Sequence, residues 1–161
     1  MTLKNSFFLV VLLLSLVSCD KKRVFDEYKT VGQNWHKDSI VSFTFEQKDT
    51  LTKQNLFINI RNNKNYPFNN LFLIVEMEHP SKKTLVDTLE YKMANPDGTL
   101  LGEGLSDTKE NKLFYKENFV FKNSGQYKVT IQQAVRQSGK IEGIEKLDGI
   151  TEVGFRIEKQ E

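Results

Sequence analysis

A single cysteine, Cys19, in 161 residues leaves no intramolecular disulfide, no CxxC redox pair and no zinc site built on two or more cysteines. Three prolines and nine glycines are too few for a collagenous or low-complexity chain. Neither sign of charge prevails: 23 Lys and Arg stand against 21 Asp and Glu, and a net charge of +2 lacks the basic excess with which nucleic-acid binders neutralise phosphates. Histidine is limited to His36 and His79, and neither lies in an HxH pair or has a histidine or carboxylate four residues away. What is present is a globular composition, 39% hydrophobic and 11% aromatic, more than a disordered chain carries.

Only one apolar run exceeds five residues, and it lies at the amino terminus. Lys4 and the terminal amine precede eight apolar residues, Phe7 to Leu14, extended by Leu16 and Val17. These flanks and this length describe a secretory signal peptide, since a permanent bilayer span needs about 20 apolar residues. The run closes on Leu16-Val17-Ser18-Cys19, which resembles the bacterial lipobox, with Cys19 as the residue that receives lipid. The expected organisation is a signal peptide over 1–18, a lipidated amino terminus and solvated tether over 19–23, and a β-sandwich domain over 24–161. Two or three acyl chains anchor a protein stably, so attachment to the membrane through Cys19 requires no basic patch. Asp20 after the cysteine resembles an inner-membrane retention signal of some Gram-negative bacteria, a rule that does not hold in every phylum, so outer and inner membrane both stay open.

The rest of the chain alternates with period two, the signature of half-buried strands. Val41, Phe43 and Phe45 alternate with Ser42 and Thr44, and Leu56, Ile58 and Ile60 with Phe57, Asn59 and Arg61. Tyr127, Val129 and Ile131, and later Val153, Phe155 and Ile157, repeat the pattern. The apolar pentad Leu71 to Val75 predicts a central strand covered on both faces. Leu85 to Tyr91 and Leu113 to Phe121 complete the set, with turn residues at Asn62-Asn63-Lys64-Asn65, Asn95-Pro96-Asp97-Gly98 and Asn123-Ser124-Gly125. About seven or eight such strands predict an all-β fold, an antiparallel β-sandwich of immunoglobulin-like or jelly-roll-like type. Lys92 to Asn111 and Gln137 to Gly149 read as long loops, which in compact domains carry function or mobility.

Catalytic signatures are scarce. Glu76, Glu78 and His79 cluster at a strand end, where charges discourage edge pairing. Asp97, Glu103, Asp107 and Glu110 offer oxygen ligands to Ca2+, but without EF-hand spacing and with Lys109 and Lys112 among them. There is no GxSxG elbow, and Gly102-Glu103-Gly104 lacks the third glycine or the Gly-Lys-Ser/Thr of a phosphate loop. The expectation is a protein that is not an enzyme, with no cofactor, no metal and no small-molecule substrate. Trp35 lies among polar neighbours, which fits an exposed contact residue, while β-sandwich cores also take tryptophan. Phe68 and Phe72 near Pro67 either cap the core or form an apolar patch.

Four segments taken together resemble the gliding-motility lipoprotein family GldH of the Bacteroidota. They are Leu56 to Asn62 with Tyr66-Pro67-Phe68 and Asn70 to Leu73; Asp87 to Tyr91 with Met93-Ala94, Pro96-Asp97-Gly98 and Leu101-Gly102; Gln133 to Arg136; and Gly143-Ile144 with Val153 to Glu158. The chain departs from the family pattern at Leu100, where tryptophan is common, and at Ser106, where glycine is common. The resemblance implies a lipid-anchored envelope component of the gliding machinery, facing the periplasm, non-catalytic and linked to type IX secretion. Its partners would be other gliding or secretion envelope proteins, met through strand edges or through the loop carrying Leu100, Leu101 and Glu103. The competing expectation is a glycan- or peptide-binding sandwich lipoprotein that uses exposed aromatics such as Trp35.

Overall fold

The alternating segments form two four-stranded antiparallel sheets packed face to face. The computed structural model describes residues 20–160, so the signal segment and Cys19 lie outside the described residues. Ten strands are described: β1 (Arg23–Thr30), β2 (Asn34–His36), β3 (Val41–Gln47), β4 (Gln54–Asn62), β5 (Asn70–Glu78), β6 (Thr84–Lys92), β7 (Lys109–Phe119), β8 (Gly125–Gln133), β9 (Lys146–Asp148) and β10 (Ile150–Lys159). One sheet has the order β1-β10-β4-β7, the other β3-β8-β5-β6, and β2 pairs with β9 in a small ribbon. The expected antiparallel sandwich is present, with ten strands rather than seven or eight. Among the described residues no helix is long and apolar enough to cross a membrane.

The core is made by the inward half of each alternation. Phe155 on β10 is fully buried, with its ring centroid 5.9 Å from Phe45, 6.1 Å from Phe43 and 6.5 Å from Tyr115. Phe45 in turn stacks on Tyr127 at 5.7 Å, so one aromatic chain joins the two sheets. Such contacts contribute beyond the area they bury, by about 0.5–1.5 kcal/mol a pair.

The doubly covered strand is β4, not the Leu71 to Val75 segment. In β5 only Leu71, Leu73, Val75 and Met77 are fully buried, while Phe72 and Ile74 point to the outer face and stay half-buried. In β4 even the outward residues Phe57 and Asn59 are buried. Tyr28, Phe114 and Lys112 from neighbouring strands fold over them: Tyr28 Oη accepts a 2.8 Å hydrogen bond from Asn59, and the Phe114 ring lies 4.6 Å from Phe57. The Leu71 to Val75 run therefore marks an interior strand with a half-buried outer face, while in the other sheet side chains of β1 and β7 cover β4.

Residues 20–23 of the solvated tether expected over 19–23 are fastened to the sheet. Lys159 N donates to Lys22 O at 2.8 Å, Arg23 N to Asp20 O at 3.3 Å, and the Asp20 carboxylate pairs with Arg156. β1 then pairs along β10 from Arg23 to Thr30.

Candidate functional site

The strand register sorts the connections into two poles. The short turns β3–β4, β5–β6 and β7–β8 share one end with residue 20 and Lys159, whereas the longer loops 31–40, 63–69, 93–108 and 134–145 share the other. The loop with Leu100, Leu101 and Glu103 therefore stands at the pole opposite the amino-terminal entry.

That loop is folded rather than irregular. Asn95 N donates to Thr99 O at 2.9 Å, and Asp97 Oδ1 accepts from Thr99 N at 2.9 Å and from its hydroxyl at 2.6 Å, which closes a tight turn at Gly98. Leu101 N then returns to Met93 O at 2.9 Å, beside an Ala94–Leu100 bridge. A second tip follows: Glu103 and Glu110 exchange two backbone hydrogen bonds of 2.8 Å, and Lys109 Nζ donates to Gly104 O at 2.6 Å. Gly102 (φ +99°) permits this, because a Cβ there would lie 2.7 Å from Glu110 O. The result half-buries Leu100 and Leu101, exposes Glu103, and pushes Leu105 entirely into solvent.

Clefts flank the loop on both sides. One, about 700 Å³, is lined by Gly102, Glu103, Gly104, Glu110, Asn111 and Lys112, and a second of similar size by Asn69, Asn70, Glu90, Lys92, Ala94 and Pro96. Loop 134–145 forms a comparable tip, with Ile144 N on Val135 O at 2.8 Å, an Arg136–Gly143 bridge, and Ile141 projecting 90% exposed. A lone aliphatic residue between polar neighbours, as in Gly104-Leu105-Ser106 and Lys140-Ile141-Glu142, was the only sequence sign of these tips. A shallow apolar hollow of about 360 Å³ on the outer face of the β5 sheet is bounded by Phe72, Ile74, Thr88, Ala134 and Arg136.

Trp35 is no contact residue. Its side chain is fully buried, and Nε1 donates to Ser39 O at 2.8 Å, so the indole serves to seal the core under the β2–β9 ribbon. The glycan-binding expectation loses the aromatic it rested on. His36 and Glu145 approach to 3.3 Å across the same ribbon, with both side chains near the surface. Among the described residues no three His, Cys, Asp or Glu converge to hold a metal ion, so Asp97, Glu103, Asp107 and Glu110 form no Ca2+ cage. Asp97 closes its own turn, Asp107 faces Lys64 at 3.4 Å, and Glu110 belongs to the sheet.

The outer face of the β4 sheet carries the densest polar network. Arg61 reaches Glu110 at 2.8 Å and Glu152 at 2.6 Å and stacks 4.3 Å over the Tyr28 ring, whose hydroxyl donates to Glu110 at 2.8 Å. Burial works against the Glu110 carboxylate, yet hydrogen bonds from Arg61 and Tyr28 hold its pKa below the ordinary glutamate value. Arg156 gathers Asp20, Asp26 at 2.6 Å and Glu158 at 2.6 Å, and Lys112 adds 2.7 Å to Glu158. Glu158 is likewise opposed by burial and held low by Lys112 and Arg156. Each carboxylate faces a cation, which makes this face a brace rather than a proton-transfer site.

The model of the family described as "GldH lipoprotein" matches residues 23–157. The chain is 63% identical over 161 residues, the full length of both chains, to the gliding motility lipoprotein GldH of Flavobacterium johnsoniae. It is 50% identical over 162 residues, 99% of each chain, to the gliding motility lipoprotein GldH homolog of Christiangramia forsetii. Among solved structures, a family GH115 4-O-methyl-α-glucuronidase superposes with a TM-score of 0.45 at 12% identity, covering 89% of this chain and 18% of that one.

Proposed function

The chain belongs to the GldH lipoprotein family, and from that premise we propose that it is a periplasm-facing, non-catalytic scaffold of the gliding machinery, anchored by lipid on Cys19 and working with type IX secretion. The observation that carries this reading is full-length identity to a gliding motility lipoprotein, at 63% over every residue of both chains. Asp20, the residue after Cys19, pairs with Arg156 on the sheet, which supports an anchor attached close to the sandwich. The carboxylates Glu110 and Asp26 of the β4 sheet are held by Arg61 and Arg156, a bracing arrangement that suits an assembly role.

The surface offered to partners is the long-loop pole. Glu103 and Leu105 stand on one tip and Ile141 on another, all three exposed, on loops closed by the Glu103–Glu110 and Ile144–Val135 backbone hydrogen bonds. Exposed aliphatic residues on ordered tips suit docking into an apolar pocket of another envelope protein. The function is tested by deleting the gene in the native host and tracking single cells on glass, with wild-type and Cys19→Ala copies returned separately. Gliding is expected to vanish and to return with the wild-type copy alone. Normal gliding in the deletion strain would contradict the proposal, and full rescue by Cys19→Ala would contradict the anchor.

A further inference from the structure

The near-neutral net charge conceals a separation of charge along the strand axis. Lys159 pairs with Gln54, Gln54 with Phe119, Gln47 with Gly125 and Glu78 with Lys128, so segments 20–22, 48–53, 79–83 and 120–124 gather with Lys159 at one end of both sheets. Pro80 lies 3.2 Å from where a Cβ on Gly125 would stand, which joins two of these turns directly. The described residues of this pole comprise eight lysines against three acidic residues, Asp20, Asp49 and the strand-end Glu78, which pairs with Lys82 at 2.8 Å. The opposite loops, 31–40, 63–69, 93–108 and 134–145, hold four basic and six acidic residues.

Neither aspartate is idle at the basic pole. Asp20 is paired with Arg156, and Asp49 accepts hydrogen bonds from the amides of Leu51 (2.9 Å) and Thr52 (3.0 Å) and from the Thr52 hydroxyl. The Asp49 turn holds Leu51 outward, 87% exposed, between Lys48 and Lys53. A bare leucine flanked by lysines on a braced turn has the pattern of a group that enters a headgroup layer while the ammonium groups meet phosphates.

The amino terminus enters at this same end. Asp20 is fixed on the sheet, and one peptide unit spans only about 3.8 Å, so whatever holds Cys19 also holds this pole. That distance is well inside the screening length of about 8 Å at physiological salt. Strands of nine or ten residues rise about 30 Å, which places the long-loop pole far beyond electrostatic reach of the same surface.

We propose that the short-turn pole is a membrane-docking surface for anionic phospholipid headgroups, engaged by Lys21, Arg23, Lys48, Lys53, Lys122 and Lys159 with Leu51 inserted among them. It fixes the sandwich upright and presents Glu103, Leu105 and Ile141 away from the bilayer. The docking rests on the reading that Cys19 carries the lipid. Attachment comes from the acyl chains, and the basic pole supplies orientation.

The test uses the full lipoprotein purified from membranes and placed on vesicles of phosphatidylethanolamine alone or with phosphatidylglycerol, with brominated acyl chains as quencher. Separate preparations carry a bimane on Leu51→Cys or on Leu105→Cys, both exposed positions. The Leu51 probe is expected to be quenched several-fold more than the Leu105 probe, more strongly with phosphatidylglycerol and less at high salt. Combining Lys48→Glu, Lys53→Glu and Lys122→Glu should bring the two probes close to parity while the protein stays vesicle-bound and its melting temperature is unchanged. Equal quenching at the two positions, or indifference to charge reversal, would overturn the docking and leave the anchor standing. Failure of the unaltered lipoprotein to remain on either vesicle would overturn the Cys19 anchor, and the docking with it.

Discussion

At the scale of single residues, Gly154 shows how function-neutral sequence can be structurally demanding. It sits in mid-strand on β10, and a Cβ there would come within 2.9 Å of Tyr28 Cδ1 and Cε1 and 3.2 Å of Asn59 Cβ. The Tyr28 ring covers the glycine, and its hydroxyl links Asn59 to Glu110. Gly154→Ala should therefore displace the ring, release both hydrogen bonds and cost about 1–3 kcal/mol by overpacking, read as a lower urea midpoint with an unchanged slope. A midpoint equal to wild type would show that Tyr28 moves freely. Trp35 teaches the complementary lesson: its neighbours Asn34 and His36 are polar because β2 is only three residues long and both face outward. What buries the indole is remote in sequence, so no local pattern could reveal it.

At the scale of elements, alternation made the strands legible wherever one face is apolar, as in β3, β4, β8 and β10. β1 stayed hidden because it is an edge strand with Glu27 and Lys29 in its inward register, a device that discourages edge pairing and erases the apolar stripe. The two loops looked structureless because their hydrogen bonds are closed by backbone and by Asp97, Gly102 and Gly104 rather than by hydrophobic periodicity. The ion ladder across β1, β10, β4 and β7 carries a pH signature. Asp20, through its hydrogen bond from Arg156, and Glu110 and Glu158, through cation partners that outweigh burial, all have depressed pKa values. Their contribution to stability is complete above the unfolded values near 4 and is lost as pH falls through the folded ones. His79 is also depressed, by burial and then by Lys83, so its neutral form favours the fold and its contribution fades as pH falls below about 6.5. Melting temperature should be level from pH 8 to 7, decline gently through 6 and 5, and drop steeply below about 4; His79→Gln should flatten the upper decline alone. A melting temperature that rose on acidification would refute this assignment.

At the scale of the whole molecule, the account is one of polarity. Net charge and composition indicate a near-neutral, disulfide-free globular chain, and that average conceals the division into a lysine-rich pole by the amino-terminal entry and an acidic pole of ordered tips. The division depends on which strand ends lie together, which the order of strands in the sheets decides and local patterning does not. Under the proposed function, lipid on Cys19 stands at one end and the partner surface at the other, about 30 Å away. The most direct measurement replaces Glu103→Lys and Leu105→Asp together on the chromosome of the native host, both being exposed positions on one tip. Gliding speed of single cells on glass is recorded alongside the amount of the protein in the membrane fraction. The account predicts that gliding falls to the level of the deletion strain while the membrane-bound amount stays that of wild type. Wild-type gliding with both positions of this tip replaced would contradict the long-loop pole as the working surface.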